Sequence, residues 1–176
     1  ALIRWLWGGN DVKHTLAVLV DDRPGVLTHI SGLISRRAFN IESIAAGYTE
    51  EPDTTRITIV VEAENEAELE QVVNQLSKLI DVIKVVDLTP MDSIQRELAL
   101  IKVKANPQTR ADIVDIVDRF RAHIVDVNRE TMIIELTGEQ QKINALCEVL
   151  KDYGIIEIVR TGKIALSRGP VSAKEL

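Results

Sequence analysis

One order of predicted elements occurs twice in this chain of 176 residues, and this repeat constrains the fold more than any other feature. Each copy reads strand, helix, strand, strand, helix, strand, judged from apolar alternation, helical periodicity and turn residues. The predicted segments of the first copy are 14–20, 26–37, 40–48, 54–63, 65–79 and 80–88. Those of the second copy are 96–105, 109–121, 124–127, 131–137, 139–153 and 155–160, with a short extension at 164–166.

The repeat predicts an α+β fold made of two ferredoxin-like βαββαβ sandwiches in tandem, each with two helices on one face of a four-stranded antiparallel sheet. The first strand is apolar on both sides, with Leu16 and Val18 on one side and Ala17 and Leu19 on the other. A strand with two apolar faces is normally buried on both. We therefore expect a dimer, pairing between the two units, or both.

The repeat also predicts the domain organisation. We expect a first domain at 14–90 and a second at 96–169, joined by a short polar connection, with a tail at 170–176. Residues 1–13 form an N-terminal arm of unclear status that holds both tryptophans. A remnant of a transit peptide, an added segment and a native arm all remain open as interpretations.

Composition excludes several classes of protein. The formal net charge of −6 disfavours nucleic-acid binding, which needs clustered Lys and Arg. No apolar run approaches the roughly 20 residues that would span a bilayer. The single cysteine, Cys147, excludes an internal disulfide, and its place on an apolar helical stripe predicts a core residue.

No motif for catalysis is present. None of the three histidines has a neighbour at metal-ligand spacing. The sequence lacks a nucleophile elbow, a P-loop and a dinucleotide-binding glycine motif. We therefore expect no catalytic residue, metal or cofactor in this chain.

The turn between the first strand and the first helix is the most informative segment. The first turn of a helix offers free backbone N–H groups and a partial positive charge, which suit a small carboxylate. Gly25 would allow a ligand to approach the backbone before Val26, and Asp22 could pair with an α-ammonium group. The same residues, with Pro24, also suit a purely structural turn, so both interpretations stay open.

Several stretches resemble one family along the chain. His14-Thr-Leu-Ala-Val-Leu-Val20, Pro24-Gly-Val-Leu27, Arg36-Arg-Ala-Phe-Asn-Ile-Glu-Ser-Ile44 and Arg96-Glu-Leu-Ala-Leu-Ile-Lys102 are examples, and Arg160-Thr-Gly-Lys-Ile-Ala-Leu166 is another. They resemble the small regulatory subunit of acetolactate synthase (acetohydroxyacid synthase), whose first domain is an ACT domain. The resemblance runs in order from about residue 14 to 169.

The resemblance implies a non-catalytic regulatory subunit that forms a homodimer through its ACT domain. It implies that valine, or leucine or isoleucine, binds at the dimer interface as a feedback effector. The partner would be a separate catalytic large subunit that carries thiamine diphosphate, Mg²⁺ and FAD, which the small subunit activates. The expected compartment is the cytoplasm, or the plastid stroma for a plant or alga.

The resemblance also assigns effector residues. Gly25 matches the glycine of the family's effector loop, and Asn40 matches an asparagine that reaches the ligand from the neighbouring chain. Asp22 stands where relatives often have Asn, and Gly47 where some have Ala. The full predicted effector set is Asp22, Pro24, Gly25, Val26, Asn40, Ile41 and Gly47. For Arg36 and Arg37, a solvated helix end and a contact with the partner subunit remain equally open.

Three other functions fit the sequence less well. A stand-alone amino-acid-binding ACT protein of another pathway would not explain the second half of the resemblance. An enzyme would need a cofactor or catalytic motif that this chain lacks. A ligand-responsive transcription factor would need a helix-turn-helix or a basic segment.

Overall fold

The computed structural model describes residues 12–36 and 39–176, and it contains the predicted repeat. The elements of the first copy are β1 (Val12–Asp21), α1 (Val26–Arg36), β2 (Asn40–Tyr48), β3 (Thr54–Ala63), α2 (Glu66–Leu76) and β4 (Val82–Asp87). Those of the second copy are β5 (Ser93–Lys104), α3 (Arg110–Arg119), β6 (His123–Val127), β7 (Thr131–Gly138), α4 (Gln140–Leu150), β8 (Ile155–Arg160) and β9 (Ile164–Ser167).

The two copies have the same topology. The first sheet has the strand order β2-β3-β1-β4, and the second has the equivalent order β6-β7-β5-β8, with β9 also paired to β5. Strand β1 pairs antiparallel with β3 and β4, and β2 pairs antiparallel with β3. In the second sheet, β7 pairs antiparallel with β5 and β6, and β5 pairs antiparallel with β8. The predicted fold, α+β with two βαββαβ units, is therefore confirmed.

Each unit has its own hydrophobic core between its helices and one face of its sheet. In the first unit, Leu16 and Ile59 from the sheet pack with Ile30 of α1 and Leu76 of α2. The second core is built in the same way and contains Ala99, Ile101, Val103, Ile113, Val117, Met132, Ile134, Leu136, Ile143, Leu146 and Leu150. The alternation of apolar residues in the strands is what directs these side chains to the helical face.

The helix-free face of the first sheet is covered by the end of the chain. Ala17 and Leu19 of β1 form a separate buried cluster with Val86 and Leu88, together with Ala165 and Ala173. Residues 165–176 accordingly group with the first compact unit, and the second unit comprises 95–164. The expected domain bounds, 14–90 and 96–169 with a tail at 170–176, stay a prediction.

The helices are shorter than their apolar patterns predicted. Asn65 caps α2, since its side chain accepts from the Glu68 N–H at 3.0 Å. The helix ends at Leu76, three residues before the predicted end, and Leu79 packs against the core from outside it. At the end of α4 the chain forms a short 3₁₀ turn, and Gly154 follows it with φ +93°.

The connection between the two copies is also shorter than predicted, because β5 already begins at Ser93. Arg37 and the first eleven residues lie outside the described residues, so the two interpretations of Arg37 and those of the N-terminal arm stay as they were. Within the described residues, no helix has the length and apolar character needed to cross a bilayer.

Candidate effector site

The predicted effector loop lies between β1 and α1 and is held by neighbouring backbone. Asp22 donates its N–H to the Asp53 carbonyl at 2.8 Å, and its carboxylate accepts from the Thr55 hydroxyl at 3.1 Å. Asp21 donates its N–H to the Asp81 carbonyl at 2.9 Å. The loop is therefore fixed on one side by the turn between β2 and β3 and on the other by the segment before β4.

Gly25 occupies a backbone conformation that favours glycine. Its φ is +92°, in the left-handed region, and a Cβ atom placed on it would meet no heavy atom within 4 Å. Val26, which begins α1, is buried in the first core, while Asp22 and Pro24 are exposed. The first turn of α1 has no acidic residue, so no carboxylate there competes with an anionic ligand for the backbone N–H groups.

The remaining predicted residues lie on β2, which is an edge strand of the first sheet. Asn40 begins the strand, and its side-chain amide donates to the Glu62 carboxylate at 2.5 Å. Ile41 packs against the first core. Gly47 lies near the other end of the strand, opposite Arg56, and a Cβ atom there would also meet nothing within 4 Å.

The register places Asn40 and the effector loop at opposite ends of the sheet. Asn40 pairs with Glu62, which pairs with Lys13 near the start of β1. The loop begins after Asp21, eight residues further along that strand. At about 3.3 Å per residue, the two sites are roughly 26 Å apart within one chain. Gly47 lies at the end of the sheet near the loop, whereas Asn40 and Ile41 do not.

Several loop contacts were not predicted from the sequence. The contacts of Asp53 and Thr55 with Asp22 depend on the turn between β2 and β3, which is 30 residues along the chain. His29 on α1 lies 3.2 Å from the Asp81 carboxylate, on the other side of the loop. Only the strand register could have revealed these neighbours, and no local motif encodes it.

The described residues offer no cluster of side chains for metal binding. No group of three or more His, Cys, Asp or Glu side chains within them could hold a metal ion. Cys147 packs at the border of the second core, and partial burial raises the pKa of its thiol, although Arg160 and Lys151 nearby oppose the shift. A thiol of this kind is a poor nucleophile.

The match to known families divides at the same place as the repeat. Residues 96–169 match the family described as "Small subunit of acetolactate synthase", and residues 16–84 match "AHAS small subunit-like ACT domain". The chain is 51% identical over 158 residues to the probable acetolactate synthase small subunit of Archaeoglobus fulgidus, which covers 90% of this chain and 98% of that protein. This chain belongs to the acetolactate synthase small-subunit family.

Other acetolactate synthase small subunits are similar to this chain over most of its length. The protein of Mycolicibacterium smegmatis is 53% identical over 157 residues, covering 89% of this chain and 92% of that protein. The crystal structure of the small subunit from Thermotoga maritima superposes with a TM-score of 0.83 at 38% identity, covering 91% of this chain and 99% of that one. As a small subunit of acetolactate synthase with an N-terminal ACT domain, the chain is a non-catalytic regulatory subunit for branched-chain amino acid biosynthesis.

Proposed function

We propose that this small subunit binds valine, or leucine or isoleucine in its place, at a pocket shared between two copies of the ACT domain. The effector loop of one copy would supply Asp22, Pro24, Gly25 and Val26, and Gly47 would border it. The second copy would supply Asn40 and Ile41. The separation of these two groups within one chain is the observation that carries the proposal, because both can touch one small ligand only if they come from different chains.

The position of β2 supports this arrangement. The strand lies at the edge of its sheet and pairs only with β3 within the described part of the chain. Two copies related by a twofold axis would pair their β2 strands antiparallel. Antiparallel pairing places Asn40 of one copy beside the Gly47 end of the other, where the effector loop lies. Tyr48 at that end is 86% exposed, and a second copy would cover it.

The chemistry of the loop supports an amino-acid ligand. The N–H groups at the start of α1 would receive the α-carboxylate, and Gly25 would leave the approach open. Asp22, held by Thr55, would pair with the α-ammonium group. A branched aliphatic side chain could contact the apolar surface of Ile41. Recognition of both charges would favour a free amino acid over a hydrocarbon of the same shape.

The same proposal includes the partner. The small subunit would associate with the catalytic large subunit, which is expected to carry thiamine diphosphate, Mg²⁺ and FAD, and would raise its activity. Valine would then inhibit by binding one state of the complex more tightly than the other, since a ligand shifts an equilibrium only by its difference in affinity.

Calorimetric titration of the full chain with valine, leucine and isoleucine in turn tests the effector site. The decisive variants are Gly25→Asp and Gly25→Ala, which share the backbone strain of a positive φ and differ in charge. We expect Gly25→Asp to abolish valine binding, because its carboxylate would occupy the place of the ligand's, and Gly25→Ala to weaken binding less. Gly154→Asp, at the same φ in the second unit, is the control and should bind normally. Normal binding by Gly25→Asp would show that the ligand lies elsewhere.

A further inference from the structure

The end of the chain forms a strap, residues 165–176, across the helix-free face of the first sheet. Ala165 and Ala173 are its buried residues, each 6% exposed, and they pack on Ala17 and Leu19 of β1. Two methyl groups bury little apolar area. Apolar packing alone therefore holds the strap weakly, and its polar contacts matter.

The first residues of the strap belong to β9, which pairs with β5, and Arg168 donates its N–H to the Asp92 carbonyl at 2.9 Å. Further polar contacts come from the β2–β3 hairpin, defined here as residues 48–56. Lys174 of the strap donates to both carboxylate oxygens of Glu51 at 2.8 and 2.7 Å. Arg56 donates to the Ala165 carbonyl at 2.7 Å. Burial lowers the pKa of Arg56 and Glu50 partly offsets this, but an arginine stays charged under all ordinary conditions. The hairpin thus holds the strap near both of its ends.

A cavity of about 240 Å³ lies between the strap and the hairpin. It is lined by Leu19 and Arg56 on the sheet side and by Leu166 and Val171 on the strap side. The cavity is partly open to solvent, so the strap and the hairpin are not closely packed against each other at this place. Segments with few buried apolar contacts open at a low free-energy cost. Residues 169–176 of the strap, which lie beyond β9, can therefore open while the core of the sheet stays intact.

The same hairpin also holds the effector loop. Asp53, which adopts a left-handed φ of +60°, accepts the Asp22 N–H, and Thr55 donates to the Asp22 carboxylate. Within the hairpin, the Thr49 hydroxyl accepts from the Glu51 N–H at 3.1 Å. A continuous set of hydrogen bonds and ion pairs therefore joins the effector loop, the hairpin and Lys174.

We propose that the strap is a latch, fastened by Lys174 and Glu51, whose attachment is coupled to occupancy of the effector loop through this hairpin. The proposal rests on the proposed function, in which that loop binds an amino acid. A ligand that orders the loop also orders the hairpin, and an ordered hairpin holds Glu51 in place for Lys174. Coupling of this kind is reciprocal, so a fastened strap must in turn strengthen effector binding.

Hydrogen exchange of the full chain tests the latch. We expect Lys174→Gln to raise exchange at residues 169–176 by up to about fivefold, the upper limit for loss of an exposed ion pair. Lys151→Gln is the matched control, because Lys151 also pairs with a glutamate, Glu148, but lies in the second unit. Its strap should exchange as in the wild type. Unchanged exchange in Lys174→Gln would overturn the latch.

Calorimetric titration with valine tests the coupling. Valine should slow strap exchange in the wild type, and Lys174→Gln should weaken valine binding by at most the same factor, because the variant raises the fraction of molecules with an open strap. The swapped pair, Glu51→Lys with Lys174→Glu, should restore both properties. A valine affinity that does not respond to Lys174→Gln would overturn the coupling even if the latch itself is confirmed.

A variant without ligand separates this inference from the proposed function. Thr55→Val removes the hydroxyl bond between hairpin and loop with little change of shape, and it should raise strap exchange in the absence of any effector. If Thr55→Val raises strap exchange but no branched-chain amino acid binds the wild type, the assignment of the effector site is wrong. The proposed regulatory role of the strap is then wrong as well. If Thr55→Val leaves the strap unchanged although valine binds, only the coupling is overturned.

Discussion

At the scale of single residues, the second unit contains a nearly buried charged pair. Arg160 donates to both carboxylate oxygens of Glu97 at 2.5 and 2.8 Å and to the Asn144 side-chain oxygen at 3.0 Å. The Glu97 side chain is only 9% exposed. Such a pair contributes little net stability as a whole, but removal of one partner leaves a buried charge without compensation.

Arg160→Ala should therefore destabilise the second unit by about 3 kcal/mol, the low end of the range for a broken buried pair. Arg119→Ala is the control, because Arg119 pairs with Asp115 at a similar distance of 3.1 Å but both side chains are exposed, and it should cost less than about 1 kcal/mol. Guanidinium unfolding of each variant measures the difference. Equal losses for the two variants would show that the burial of Glu97 has no energetic consequence.

At the scale of secondary-structure elements, the helix N-termini differ in how they are capped. At α2, Asn65 accepts from the Glu68 N–H, and the Glu68 carboxylate accepts from the Glu64 N–H at 2.6 Å. At α4, the N-cap residue Glu139 makes no capping hydrogen bond with its side chain. We expect Asn65→Ala to lower the free energy of unfolding by about 1 kcal/mol and Glu139→Ala to have a smaller effect. Circular dichroism during urea titration would measure both, and a larger loss for Glu139→Ala would contradict the assignment.

The elements show where sequence patterns suffice. The bounds of β2 and β3 agree with their prediction, because alternation and a turn at 49–53 delimit them on both sides. Helices α2 and α4 each end three residues before the predicted end, because the apolar stripe continues into turns that pack on the same core. Periodicity indicates which side chains are buried. A buried side chain can belong to a helix or to the turn that ends it, so periodicity does not fix the last residue of a helix.

At the scale of the whole molecule, the helical cores of the two units are separate, but the first unit depends on residues from both ends of the chain. A truncation after Ile94 would retain the first core and lose Ala165 and Ala173 from the cluster around Leu19. We expect this fragment to dimerise and to activate the catalytic subunit partly, with a weakened valine response. Replacing 95–164 by a flexible Gly/Ser linker keeps the strap and should recover part of that response. Assays of the catalytic subunit with added valine measure the response that each protein confers. Full valine inhibition with the fragment alone would show that the strap has no part in regulation.

The candidate site shows what the sequence could not predict at this scale. The turn chemistry around Gly25 pointed to an anion-binding loop, and the positive φ found there agrees with the glycine. Turn chemistry could not predict which residues bond to Asp22 or which residues pack on Ala17, because these residues come from segments that are distant in the chain. The predicted effector residues themselves remain a prediction, supported by the register that separates Asn40 from the loop.

The shared pocket is the central claim, and a mixing experiment tests it most directly. Gly25→Asp damages the loop, and Asn40→Ala damages the group that would serve the neighbouring copy, so neither homodimer should respond to valine. A heterodimer of the two variants would place both defects in one pocket and leave the other pocket intact. We predict that the mixture, after subunit exchange confirmed by mass spectrometry, regains valine binding and part of the valine inhibition of the catalytic subunit. No recovery in a mixture with confirmed exchange would contradict a pocket shared between chains.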